Sequence, residues 1–173
     1  MNSIPKQNYT IKSRETPQCP HCGKKMKRRD QVKRHTRIMG GSKVWFEIER
    51  FRCEACGRIH RAIPAFLAPF KHYCLGLITS VLSQRISPRT YEEEHNYPVE
   101  ITMDRWARWE DLNRTDIEGY IRSIGHRILG FSEELLTSQV SLLEGMKSSI
   151  AQWLSRILRM IYNSGGELQP LRE

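Results

Sequence analysis

Apolar positions recur with two different periods along this chain, and the change from one to the other falls near Ile63. Before it, Val44, Phe46 and Ile48 alternate with Trp45, Glu47 and Glu49, the two-residue period of a pleated strand. With the run RRDQVKRHTRIM and the Gly40-Gly41-Ser42 turn signal ahead of it, KVWFEIERFRC completes an expected hairpin of two strands. Beyond Ile63 the period is about 3.6 and every signal is helical. The stretch HYCLGLITSVLSQR puts Cys74, Leu77, Ile78, Val81 and Leu82 on one stripe, predicting a core-facing helix over 72–84. Ser87 as N-cap and Pro88 as first helical residue open a short helix through RTYEEEH that stops before Asn96 and Pro98.

Further caps divide the helical sequence beyond Pro98. Thr102 is the expected cap of MDRWARWEDLN and Thr115 that of DIEGYIRSIGHRIL, where Ile117, Tyr120, Ile121, Ile124 and Ile128 share a face. Two more amphipathic helices are expected around SEELLTSQVSLLE and KSSIAQWLSRILRMIY, the second with Ile150, Trp153, Leu154, Ile157 and Ile161 on one stripe. The fold class is therefore α+β, a small amino-terminal hairpin module followed by an all-α region. The expected boundaries are a flexible arm over 1–16, the hairpin module over 17–63 and a trihelical, helix-turn-helix-like segment over 64–114. A further helical region over 115–163, acting as core extension or partner surface, and a disordered tail over 164–173 complete the plan.

Charge sharpens this division. Residues 1–61 hold 16 Lys and Arg against 5 Asp and Glu, whereas residues 62–173 hold 12 against 14. A basic module attached to a slightly acidic one suggests a polyanionic partner, because each cation that neutralises a phosphate releases condensed counterions. No apolar run approaches the roughly 20 residues of a spanning helix, and the first residues lack a signal-type apolar region, so a cytoplasmic protein with no membrane partner is expected.

In a reducing compartment, Cys19, Cys22, Cys53 and Cys56 read as metal ligands rather than disulfide partners. Cys19-Pro20-His21-Cys22-Gly23 and Cys53-Glu54-Ala55-Cys56-Gly57 share the form C-x-x-C-G, in which glycine permits the tight turn that brings amides toward thiolate sulfur. The expected cofactor is one structural Zn2+ in a zinc ribbon. Four thiolates leave no open position for catalysis, and neither pair sits where a redox motif opens a helix after a βαβ strand. His21 and His60 lie near the ligands in sequence and read as neighbouring or surface histidines. A segment of about 45 residues with so few large apolar side chains cannot bury a sufficient core, whereas structural zinc contributes about 10–16 kcal/mol.

Candidate nucleic-acid contacts form two groups. Lys24, Lys25, Lys27, Arg28, Arg29, Lys33, Arg34 and Arg37 face a single acid, Asp30, and suit phosphate contact; the bland alternative is a solvated strand. Alternation places one of Trp45 and Phe46 in the ribbon core and leaves the other able to stack on a base. In the helical part, the order of helices 72–84, 88–95 and 102–113 suits a helix-turn-helix whose third helix enters the major groove. Trp106, Trp109 and Leu112 would pack inward, leaving Thr102, Arg105 and Arg108 outward. Asp104 and Asp111 speak for a plain helical bundle instead.

The residues CPHCGKK and CEACGRIHR resemble the knuckles of zinc ribbons at the amino ends of bacterial insertion-sequence transposases. CEACGRIHRAIPAFLAPFKHY with the trihelical segment ending in TMDRWARWEDL is similar to an uncharacterised, transposon-associated domain-of-unknown-function family. That resemblance spans about residues 17–115. It implies Cys19, Cys22, Cys53 and Cys56 as ligands and a trihelical part that binds DNA at element ends or a promoter. The catalytic half of such transposases, a ribonuclease-H-like sheet with three carboxylates, has no strands here to build it. The expectation is a zinc-dependent, non-enzymatic DNA-binding accessory or regulatory protein of a transposon or prophage, with double-stranded DNA as partner. The alternative is an adaptor that docks on a transposase or recombinase, or forms a homo-oligomer, around a purely structural ribbon. No nucleophile elbow, phosphate-cradling loop or H-E-x-x-H pair is present, and Cys74 and His126 read as buried helix residues.

Overall fold

A computed structural model describes residues 8–83, 87–95 and 98–170. The chain divides into two compact units, Met1–Cys74 and Leu75–Glu173.

In the first unit, β2 (Met26–Arg37) and β3 (Lys43–Cys53) form the expected antiparallel hairpin, joined by a single 3-10 turn at Met39–Gly41. Gly40 and Gly41 adopt φ of 77° and 80°, the left-handed region that the Gly-Gly pair makes accessible. The register pairs Arg37 with Lys43 at one end and Met26 with Cys53 at the other, with a bulge between Arg28 and Asp30. β4 (Ile59–Arg61) lies antiparallel to β3, and β1 (Asn8–Ile11) lies parallel to it. The sheet thus has four strands. The segment expected as a flexible arm therefore contributes a strand: Tyr9 pairs with Phe46 and Ile11 with Ile48. Residues 1–7 of that arm lie outside the described residues.

Alternation sorts the two sheet faces. Val32, Phe46 and Ile48 share one with Ile11, and the 66–74 segment supplies its cover; Phe66 approaches Phe46 at 5.3 Å between ring centroids. The same segment runs along the outer edge of β2, where the Arg37 amide donates to the His72 carbonyl at 2.7 Å and the Cys74 amide to the Arg37 carbonyl at 3.0 Å. Cys74 is thus half-buried in a bridge rather than on a helix. Glu49 departs from the expected outward position. It is 6% exposed and accepts from Arg28 Nε at 2.7 Å and from the Ser13 amide at 2.8 Å.

The second unit is helical: α1 (Leu75–Leu82), α2 (Pro88–His95), α3 (Glu100–Ile128), α4 (Glu133–Thr137), α5 (Leu142–Ser149) and α6 (Trp153–Asn163). α1 is shorter than the expected 72–84, of which Gln84 is outside the described residues. Ser87 caps α2 as expected, its hydroxyl accepting from the Thr90 amide at 3.1 Å.

The main correction concerns α3. It starts at Glu100, ahead of Thr102, and runs 29 residues straight through Thr115, fusing two helices that the caps had separated. Asn113 is the reason: fully buried, it donates to the Trp109 carbonyl at 2.8 Å and the Gln169 carbonyl at 3.1 Å, and accepts from the Gln169 amide at 2.7 Å. The tail expected to be disordered is therefore tied down. Leu168 is buried, and Gly166 lies so close to the Tyr120 ring that a Cβ would come within 2.6 Å of it. Residues 171–173 are outside the described residues. Along α3, Met103, Trp106, Trp109, Ile117 and Ile121 face the core with Leu143, Met146, Trp153, Leu154, Ile157 and Ile161. Leu112, Ile128 and His126, expected inward, are exposed.

Candidate metal centre

Both C-x-x-C-G segments fold identically because each repeats the same backbone bonds. The Gly23 amide donates to the Cys19 carbonyl at 2.8 Å and the Gly57 amide to the Cys53 carbonyl at 2.9 Å. The Cys19 amide reaches the Lys24 carbonyl at 2.8 Å, and the Cys53 amide the Arg58 carbonyl at 2.9 Å. Gly23 and Gly57 have φ of 71° and 73°, where other residues are strained. These turns aim the amides of Lys24 and Arg58 at the sulfurs of Cys22 and Cys56, respectively.

The four sulfurs of Cys19, Cys22, Cys53 and Cys56 lie within 4.8 Å of one another. Cys19 and Cys56 are 3.6 Å apart, and Cys22 and Cys53 are 3.5 Å apart. Such separations are far beyond the roughly 2.05 Å of a disulfide. Ligand sulfurs at about 2.3 Å from a tetrahedral ion lie about 3.8 Å apart, close to both spacings. The four residues could therefore hold one metal ion.

Electrostatics are consistent with that. The Cys53 thiol is drawn down to about 7, chiefly by the Cys56 amide, with the Cys22 sulfur and the Ala55 amide assisting. For Cys22 the Lys24 amide also lowers the value, but the Cys53 sulfur, burial and the remaining sulfurs outweigh it and push the thiol up to about 12. A cation at the centre would relieve the crowding of four thiolates directly. His60 sits on β4 with Nε2 3.6 Å from the Cys19 sulfur, and burial, then Arg58 and His21, hold it below the usual histidine range. His21 is exposed. Met26, Phe51 and Ala62 close the inner side of the cluster.

The basic stripe resolves into distinct groups. Lys27 pairs with Glu54 at 2.7 Å, Arg28 with Glu49 at 2.7 Å and Arg29 with Asp30 at 3.5 Å. Arg34 is half-buried and binds the carbonyls of Ala68 and Lys71, the latter at 2.7 Å, so it holds the 66–74 segment in place. Lys24, Lys25 and Lys33 are exposed, with no acidic partner among the described residues. Arg37 lies at the hairpin end of β2 opposite Lys43. In the second unit Thr102 is half-buried in the first turn of α3, and Arg105 and Arg108 are exposed beside Asp104 and Asp111.

Glu49, Arg34 and His60 carry no local signal of these roles. Their partners are brought by segments tens of residues away, except that His60, four residues after Cys56, could have been placed beside a ligand by its proximity.

Fold and cysteine geometry define a mixed α/β protein, with a four-stranded sheet unit carrying a four-cysteine cluster and a separate helical unit. A family model matches residues 19–106, from the first cysteine to Trp106 on α3, and the chain belongs to that family, described as Domain of unknown function (DUF6431). No curated protein and no solved structure matches the chain. No helix among the described residues is long and apolar enough to cross a membrane.

Proposed function

We propose that this protein binds DNA through its amino-terminal unit, with one zinc ion held by Cys19, Cys22, Cys53 and Cys56 as a structural clamp. The observation that carries this reading is charge segregation: 16 of the 28 Lys and Arg precede Ala62, and Lys24 and Lys25 after the first knuckle and Lys33 on β2 are exposed. Four soft sulfur donors within 4.8 Å of one another favour zinc and leave no open position for substrate. The ion's work is then mechanical: it ties the first knuckle to the end of the hairpin and holds the basic strand in one orientation.

The resemblance of both knuckles to those of insertion-sequence transposases favours an accessory or regulatory role in a mobile element. Arg105 and Arg108 on α3 offer a second contact of the helix-turn-helix kind. Duplex binding measured across a salt series tests the proposal. Log affinity should fall linearly with log salt, with a slope of about −0.9 for each phosphate neutralised, and the joint charge reversal Lys24→Glu, Lys25→Glu, Lys33→Glu should flatten that slope by about 3. Failure of any duplex to bind in low salt, with the metal loaded, would remove the reading.

Exposed Ile101 and Leu112 on α3 and Val140 before α5 support the adaptor reading for the slightly acidic helical unit. Self-association or recombinase capture that persists after nuclease treatment and in high salt would select it over DNA binding.

A further inference from the structure

The hairpin end farthest from the cysteines carries a row of aromatic rings flanked by cations. Trp45 on β3 and His35 on β2 are direct cross-strand partners with ring centroids 4.9 Å apart. His35 in turn stacks on His72 at 4.7 Å and an interplanar angle of 11°. His72 is exposed, while Trp45 and His35 are half-buried. Alternation places Lys33, Arg37 and Lys43 on the same sheet face as His35 and Trp45, and Glu47 is the one acid opposite Lys33. Burial first, then the charges of His72, Lys43, Arg37 and Arg34, keep His35 below the usual histidine range, so its ring is neutral where it stacks.

A second observation comes from the segment that delivers His72. Arg34 grips it by the carbonyls of Ala68 and Lys71, and the Arg37 amide donates to the His72 carbonyl at 2.7 Å, so the His72 ring is held in place against His35. Phosphate-neutralising cations interleaved with exposed rings match a chain of anions that also offers π-faces.

We propose that this face binds an unpaired DNA strand, with bases stacking against the Trp45–His35–His72 row while Lys33, Lys43 and Arg37 neutralise its phosphates. The inference rests on the proposed DNA binding and refines it: the ribbon takes exposed bases in addition to duplex backbone.

The tryptophans make the test direct. Trp106, Trp109 and Trp153 are 3%, 6% and 0% exposed in the helical unit, so a ligand stacking on the protein surface quenches the emission of Trp45. The metal-loaded full chain is titrated with a dT20 oligonucleotide and, separately, with a blunt duplex of the same length. Quenching by dT20, and about ten-fold or greater weakening of dT20 binding by Trp45→Leu and by His72→Ala with duplex affinity retained, is the expected result. His72 is exposed and its side chain lies away from the metal site, so this variant keeps the test decisive should Trp45→Leu misfold; metal content is checked for both. Unchanged emission with dT20, or dT20 affinity unaltered in His72→Ala, while the duplex still binds, overturns the strand-binding inference alone. Loss of binding to both ligands by the wild-type chain overturns the DNA-binding reading beneath it as well.

Discussion

Arg34 and Glu49 show how a charged residue in a basic strand is assigned its work by what meets it. Arg34 belongs by sequence to the basic stripe expected to contact phosphate, yet its guanidinium is committed to two carbonyls of the 66–74 segment. Arg34→Ala leaves those carbonyls short of a donor and should lower stability by about 1–3 kcal/mol in thermal or denaturant unfolding, with little loss of salt-dependent DNA affinity. Lys24→Ala should do the reverse. Glu49 is held below the usual carboxylate range by the Ser13 amide, then by Arg28, and Asp30 by Arg50. A depressed carboxylate stabilises the fold above its unfolded value, and that contribution is lost as pH falls through the folded value. Glu49→Gln should therefore make the acid limb of the unit's stability curve shallower, a difference that parallel pH titrations of wild type and variant would resolve.

Glu110 has the opposite sign. It is 3% exposed, and burial raises it above the usual range despite Lys147 at 2.7 Å and Arg114 at 3.2 Å. Its folded form holds a proton to higher pH than the unfolded chain does, so its contribution declines as pH rises from the ordinary carboxylate value through the folded one. Lys147→Met leaves that carboxylate with Arg114 alone and should cost about 1–3 kcal/mol, much of it recovered by adding Glu110→Leu. Equal stability of the single and double variants in urea would contradict this account.

Among elements, the corner between α4 and α5 is the clearest case of a break imposed from outside. SEELLTSQVSLLE has the periodicity of one helix, and the structure divides it. Glu118 on α3 accepts from the amides of Leu142 and Leu143 at 3.2 and 3.0 Å and pairs with the Ser141 hydroxyl, placing a carboxylate at the amino end of α5. One turn along, Arg122 donates to the carbonyls of Leu136, Ser138 and Val140, which a continuous helix would have used internally. Ser132 and Ser141 cap the two short helices through the amides of Leu135 and Glu144. Replacing Arg122 with Met leaves three carbonyls without that donor and should speed amide exchange across 136–142 ahead of the α6 core. Uniform exchange changes over the whole helical unit would argue against a local latch.

For the whole molecule, the two units draw their stability from different sources. The helical unit buries Met103, Trp106, Ile117, Ile121, Leu143, Trp153, Leu154, Ile157 and Ile161 at 3% exposure or less, an apolar core of its own. At the knuckle end of the sheet unit, the buried cluster is Cys19, Met26, Phe51 and Cys53, so two of its four members are candidate metal ligands. Chelation, or Cys53→Ser, should therefore unfold the sheet unit while the helical far-UV signal and its melting transition remain. Simultaneous loss of both would mean that the metal also supports the helices.

The extent to which this architecture was legible in the sequence depends on how local each determinant is. The candidate metal site follows from the two C-x-x-C-G segments, because a knuckle is a five-residue device whose turn, glycine and amide donors are all contiguous. The hairpin follows from its period and its Gly-Gly turn, the helical half from its period, and the charge division from composition. Tertiary structure alone decided the rest. Asn113 and Thr115 have the local character of a helix boundary, but bonds from Asn113 to Gln169, 56 residues away, let α3 run through them. Those bonds also settle residues that composition marks as a loose tail. The same holds for β1 against β3, for Arg34 with the carbonyls 34 and 37 residues on, and for His72 completing the ring row beside His35. In each case the deciding partner is remote in sequence, and hydrogen-bond satisfaction at that distance outweighs a local preference worth about 1 kcal/mol or less.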